Sequence, residues 1–182
     1  MKVKLLALLL IFSLSAGFAW GEIIGNVYQS DTELSIQRND DHSLWVDFRV
    51  PGINIRKVHK GAEEFDLLYI EGEGATADIG APELPVITRT FAIPNRGKVH
   101  IEEIVPEYRT ITGINPYPRQ SHEYGNPHHP DNPEFDSEYY GQGKLYPESW
   151  ITLGEPAIMR DLRVINVAIN PVRINAANYE AQ

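Results

Sequence analysis

From residue 44 onward the chain repeatedly alternates apolar and polar side chains at period two, and each run is stopped by Gly or Pro. Leu44, Val46, Phe48 and Val50 trade places with Trp45, Asp47 and Arg49. A set that recurs every second residue lines one face of a strand and spirals around a helix. Pro51-Gly52 then turns the chain into Ile53, Ile55 and Val58, and a denser apolar run from Phe65 to Ile70 is closed by Glu71-Gly72-Glu73-Gly74. Further strands are expected at Val86 to Ala92, Lys98 to Pro106, Tyr108 to Ile114 and Leu162 to Ile169. Past the first residues no window holds a helical period. Many short strands between Gly and Pro turns predict an all-β fold, an antiparallel β-sandwich or barrel-like domain. No internal repeat or coiled-coil heptad interrupts it.

The N-terminus reads differently. Lys2 and Lys4 precede an apolar run from Leu5 to Phe12, continued by Leu14, and then the small residues Ser15, Ala16, Gly17 and Ala19. This is the pattern of a secretory signal peptide over residues 1–21, with the mature chain beginning at Trp20 or Glu22. The run is too short to serve comfortably as a membrane anchor. The expectation is export, and no membrane association once the leader is cut.

Losing Lys2 and Lys4 leaves 14 of the 16 basic residues against 25 acidic ones, a net charge of -11. Such a surface argues against nucleic acid or anionic membrane as a partner and fits a basic protein better. The chain has no Cys, which excludes disulfide staples, a thiol nucleophile and thiolate metal sites. A mature chain of about 160 residues is long enough for one domain held by burial alone.

Residues Asn115 to Tyr146 depart from the strand pattern. Pro stands at 116, 118, 127, 130 and 133, and aliphatic residues nearly vanish. A long exposed loop is expected, and loops of that length in a compact domain are usually functional. His122, His128 and His129 lie near Glu123, Asp131, Glu134 and Asp136, but in no spacing that turns two imidazoles to one ion. A solvated polar loop is the reading preferred over a metal site. No G-x-S-x-G elbow frames a serine, and the acid pairs Glu63-Glu64 and Glu102-Glu103 read as solvent faces rather than a glycosidase pair. Gly72 and Gly74 read as turn residues, because no helix follows to bind a phosphate. No catalytic residue, cofactor site or metal site is assigned. Arg160 and Arg163 flank a strand start, where an ion pair within the sheet is the expected role and partner binding the alternative.

One frame stands out. In "GAPELPVITRTFAIPNRG", residues 80–97, three prolines and two bracketing glycines fence an ordinary strand. Continued through "KVHIEEIVPEYRTITGINPYP" and followed by "YPESWITLGEPAIMRDLRVINVAINPVRIN", it resembles the N-terminal prodomain of the gingipain family of cysteine peptidases, peptidase family C25. The matching positions include Gly80, Pro82, Leu84, Pro85, Pro94, Pro116, Pro118, Tyr146, Pro147, Leu153, Gly154, Pro156, Arg160, Leu162, Arg163, Val164 and Pro171. The resemblance spans roughly residues 80–174.

The resemblance implies that residues 22–182 form a β-rich prodomain that precedes a cysteine peptidase domain, helps it fold and covers its cleft until cut away. It implies that a basic residue on the Pro-rich loop enters the pocket that would hold a substrate's arginine or lysine. By position the candidates are Arg119 and Lys144, the only basic side chains there besides histidines. The expected partner is therefore a peptidase catalytic domain, in cis or in trans. The chain itself, without Cys, is expected to have no peptidase activity. Its closing "VRIN" departs from the aromatic that relatives tend to carry after N-P. A rival reading is a secreted or cell-surface binding module that uses Tyr117, Tyr124, Tyr139, Tyr140 and Tyr146 as rigid contacts. A metal enzyme built on the histidines ranks third.

Overall fold

The computed structural model describes residues 2–4, 22–25, 33–39, 44–50, 52–102, 104–121, 133–141 and 143–182. Within the leader this takes in only Lys2–Lys4 (β1), an extended piece lying parallel between Leu44–Arg49 and Val105–Glu107. The other pairings between named strands among the described residues are antiparallel, as expected.

In the first half, Glu22–Gly25 (β2) joins Gly52–Lys60 (β5) and Glu63–Tyr69 (β6) in a three-stranded sheet, while Glu33–Asn39 (β3) pairs with Leu44–Arg49 (β4). The β5–β6 hairpin sets Ile55 opposite Leu68 and Val58 opposite Phe65. Phe65, Asp66, Leu67 and Leu68 are all buried, so β6 is covered on both faces. That double cover explains why the sequence there is dense rather than alternating.

The second half contains Gly74–Ala75 (β7), Pro85–Ala92 (β8), Val105–Glu107 (β9), Ile111–Thr112 (β10), a one-turn helix Ser137–Gly141 (α1), Ile151–Leu153 (β11), Ala157–Met159 (β12), Leu162–Ile169 (β13), Ile174–Asn175 (β14) and Glu180–Ala181 (β15). Strands β8 and β13 run side by side from Val164 opposite Ala92 to Ile169 opposite Ile87. Their inward residues Ile87, Ile165, Val167 and Ile169 meet Phe48 and Val50 from the first half and Ile151 from β11, closing a sandwich core. A second core gathers Ile55, Leu68, Ala81, Leu84, Ile114, Tyr146, Val172 and Ile174, and a smaller one joins Phe65 and Leu67 to Tyr117.

Three expectations need correction. Among the described residues between 98 and 114 only Val105–Glu107 and Ile111–Thr112 are strands, and no described edge takes the backbone hydrogen bonds of 98–102, where Lys98 and Glu102 are exposed. As the missing helical period implies, helix past the leader amounts among the described residues to the single turn α1 and a 3₁₀ turn at Ala176–Asn178. Their shortness hides them from any periodicity. The stretch from Asn115 is not exposed at its start: Pro116, Tyr117, Pro118 and Gln120 are buried. The expected ion pair at Arg160 and Arg163 is not found among the described residues. Arg160 sits in the two-residue turn between β12 and β13 with φ 57°, and Arg163 Nη1 donates to the Pro94 carbonyl at 2.9 Å.

Candidate functional site

The Pro-rich stretch is described up to Ser121 and again from Pro133, and these two arms are gripped from both sides. The grip is the Gly80–Pro85 segment. Gly80 N–H donates to the Arg119 carbonyl at 2.8 Å, Arg119 N–H to the Ala81 carbonyl at 2.7 Å, and Glu83 N–H to the Tyr117 carbonyl at 2.7 Å. Together these form an antiparallel bridge with Pro82 opposite Pro118. Proline has no N–H to leave unsatisfied, so buried Pro82 and Pro118 occupy bridge positions whose donors come from their neighbours. Thr76 Oγ1 donates to the Pro82 carbonyl at 2.8 Å and accepts from Leu84 N–H at 3.1 Å, which holds the gripping segment to the sheet.

The returning arm is held by the same segment. Asp136 N–H donates to the Gly80 carbonyl at 3.1 Å. Gly80 has φ +79°, and a Cβ there would stand 2.7 Å from the Asp136 nitrogen, so glycine is required for both reasons. Gln120, 5% exposed, closes the base. Its amide donates to the Glu134 and Pro118 carbonyls, each at 3.0 Å, and its Oε1 accepts from Glu134 N–H at 3.0 Å. One side chain thus acts as a rung between the two arms.

On the opposite side the leading arm is tied to β6. Asn115 N–H donates to Asp66 Oδ2 at 2.9 Å, Asp66 N–H to the Asn115 carbonyl at 2.6 Å, and Tyr117 N–H to the Asp66 carbonyl at 2.9 Å. Asp66 is 2% exposed, and Lys57 Nζ meets its Oδ1 at 2.7 Å. Burial works against the charge of Lys57, but the hydrogen bond and charge of Asp66, with Glu64 behind them, prevail and hold its pKa above the ordinary value.

Aromatic rings fill the space beneath. Phe65 meets the edge of Tyr117 at 5.6 Å and Phe135 at 5.7 Å, and Phe135 meets Tyr140 edge-on at 5.1 Å. Tyr140 donates to the Pro116 carbonyl at 3.0 Å, and Tyr146 to Asp78 Oδ2 at 2.9 Å. Burial, with the charge of Glu83, pushes the Tyr117 phenol up to about 12. Burial likewise raises Tyr140 and, together with Asp78, Tyr146, well above the ordinary phenol range. These rings are packing elements. Of the tyrosines the binding-module reading relied on, Tyr117, Tyr139, Tyr140 and Tyr146 turn inward to varying degrees, and Tyr124 lies outside the described residues. Tyr117 and Tyr146, being buried, cannot serve as the surface contacts that reading assigned them.

The two candidate blocking residues are placed very differently. Arg119 Nη1 contacts Glu83 Oε1 at 3.0 Å, with the side chains only 21% and 17% exposed. Lys144 is exposed and makes no ion pair among the described residues. His122, His128 and His129 lie outside the described residues, and elsewhere no group of three metal-ligating side chains comes together among the described residues.

The motif positions sort into three joints. Pro82, Leu84, Pro85 and Pro118 build the grip. Pro94, Gly154, Arg160 and Arg163 shape the β12–β13 hairpin: Gly154 N–H donates to the Asn166 carbonyl at 2.8 Å, and a Cβ on Gly154 would lie 3.3 Å from that oxygen. Pro147 and buried Pro171 flank the turn where Arg173 Nε donates to the Pro147 carbonyl at 2.9 Å. Gln120, Thr76 and Asp66 carry the loop base without having been singled out from the sequence, and Asp136 was named there only as a possible metal ligand. Their partners are far off in sequence, so no local pattern marks them.

Comparison with known proteins places this architecture. The Propeptide_C25 family model matches residues 27–181. No curated protein matches the chain. Among solved structures, the chain is similar in fold to "Complex of Porphyromonas gingivalis RgpB pro- and mature domains", with a TM-score of 0.72 at 19% identity over 81% of this chain and 78% of that one. It is similar too to "Structural insight into zymogenic latency of gingipain K from Porphyromonas gingivalis", with a TM-score of 0.66 at 17% identity over 89% and 92% of the two chains. With its all-β sandwich and its gripped Pro-rich loop, the chain belongs to the Propeptide_C25 family and is the propeptide of a gingipain-type cysteine peptidase, not a catalytic unit.

Proposed function

We propose that the domain keeps the peptidase that accompanies it latent by holding a loop against the active-site cleft, and that Lys144 is the side chain it offers to a pocket shaped for a basic residue. The gripped loop base carries this reading. A segment presented to a cleft binds more tightly when its ends are already ordered, because less freedom is lost on contact. Here the ordering comes from Gly80, Gln120 and Asp136. The structures of similar fold are a prodomain with its mature domain and a latent zymogen, in keeping with that role. Lys144 suits the blocking task better than Arg119, since Arg119 is engaged with Glu83 at the base of the loop. The same domain serves as a folding aid, and its leader directs it out of the cytoplasm before removal.

The test uses the mature C25 peptidase domains encoded in the source genome, each titrated with the purified propeptide. Charge-assisted hydrogen bonds contribute about 1.5–3 kcal/mol, so Lys144→Ala should raise the inhibition constant by about 10- to 100-fold with no change in melting temperature. Arg119→Ala should instead lower the melting temperature. Unchanged inhibition by Lys144→Ala removes Lys144 from the role, and relief by Arg119→Ala without a stability change transfers the role to Arg119.

A further inference from the structure

The β12–β13 hairpin carries an apolar tip that its own fold does not use. Ile158 is 80% exposed, Leu162 60% and Met159 57%. They flank the two-residue turn Arg160–Asp161, Ile158 and Met159 ending β12 and Leu162 beginning β13, with Met159 opposite Leu162 and Ile158 opposite Arg163. The hairpin is held stiffly. Arg160 takes the left-handed conformation that closes the turn. Arg163 ties the base of the hairpin to the Pro94 carbonyl, and Ile93 N–H donates to the Arg163 carbonyl at 2.9 Å. Gly154 lets the strand pass close to Asn166 before Pro156 redirects it into β12. Exposed apolar side chains on a rigid support form a surface already in its bound shape.

The tip lies at the end of β13 remote from the gripped loop. Val164 pairs with Ala92 near the tip, whereas Ile169 pairs with Ile87 beside the Gly80–Pro85 segment. Eight residues of strand separate the two ends, roughly 25 Å at about 3.3 Å per residue.

We infer that this tip is a second docking point for the peptidase domain, seated in an apolar recess away from the cleft. The inference rests on the reading above that the peptidase domain is the partner. Area argues for that occupant over a second copy of this chain. Three side chains at these exposures present on the order of 400 Å², half of the roughly 800 Å² per partner that a free-standing complex needs. Two tips together therefore make no stable dimer. A peptidase domain already engaged at the loop needs only a small additional contact, because the second contact forms within one complex at high effective concentration. Two points of attachment far apart also fix orientation, which one loop alone does not.

The experiment is binding of the purified propeptide to the mature C25 peptidase domains of the source genome, followed by biolayer interferometry. The double variant Ile158→Ser/Leu162→Ser should weaken binding at least about 10-fold, chiefly through faster dissociation, with an unchanged melting temperature since both side chains are exposed. The apolar-conserving Ile158→Val/Leu162→Met should bind as wild type, as should Ile36→Ser, which removes an exposed apolar group elsewhere. Equal affinity of wild type and the serine double variant overturns the inference while leaving latency intact. Concentration-dependent dimers in gel filtration that the serine variant disperses overturn it in favour of a second copy. Wild-type protein that binds none of the peptidase domains overturns the latency reading itself, and this inference with it.

Discussion

Gly80 shows how much one residue can be asked to do. It combines a positive φ with a contact that leaves no room for a methyl group beside the Asp136 nitrogen. Gly80→Ala should destabilise the domain by on the order of 3 kcal/mol, from the left-handed penalty of about 1–2 kcal/mol plus displacement of the returning arm. Urea unfolding reads the loss, and faster amide exchange at Asp136 locates it. A variant within about 0.5 kcal/mol of wild type would mean that the arm is not held there. The fence of prolines and glycines around this position was legible from sequence, but what it grips was not. Arg119 and Glu83, which join across the grip, stand 36 residues apart, and no local pattern encodes a meeting at that distance. The same limit explains why Arg119 and Lys144 looked alike as candidates. Both are basic residues in a Pro-rich stretch, and only the partner of Arg119 separates them.

Among the described residues, the segment after β8 has no ladder. Pro94 to His100 is exposed throughout and has no strand partner among the described residues. A peptidase must draw several residues into an extended track, which a paired strand resists and an unpaired segment allows. Arg96 and Lys98 lie in that segment, whereas Arg160 sits in a two-residue turn between paired strands. Trypsin at low ratio should therefore cut first after Arg96 or Lys98, identified by fragment mass. A first cut after Arg160 would show that the hairpin opens more readily than the segment. The contrast also marks where strand reading worked. Leu162–Ile169 came out as expected because one face of it fills the core. The alternation from 98 to 114 is real in the sequence, yet most of it finds no neighbouring edge, and pairing is a property of the whole sheet rather than of the run.

At the scale of the molecule, buried phenols and Lys57 set a common alkaline limit. Tyr117, Tyr140 and Tyr146 have pKa values raised on folding, so above pH 10 the unfolded chain binds fewer protons than the folded one. Their stabilisation is complete below the unfolded value and drains away as pH rises toward the folded ones, at about 1.4 kcal/mol per pH unit for each tyrosine still protonated. The raised Lys57 loses its contribution in the same direction. The melting temperature should hold level from pH 7 to about 9.5 and fall steeply above pH 10, followed by absorbance of the phenolate near 295 nm. A level melting temperature to pH 11.5 would mean that the rings are not buried in solution as they are here. The absence of Cys has a further consequence for the life of the molecule. The gripping residues 80–85 precede the exposed segment, and the arms they hold follow it. One cut there turns an intramolecular grip into an association of two fragments with no covalent bridge, whose persistence then depends on dilution. A disulfide-stapled domain would keep its two pieces joined after such a cut, whereas here nothing but the grip itself holds them.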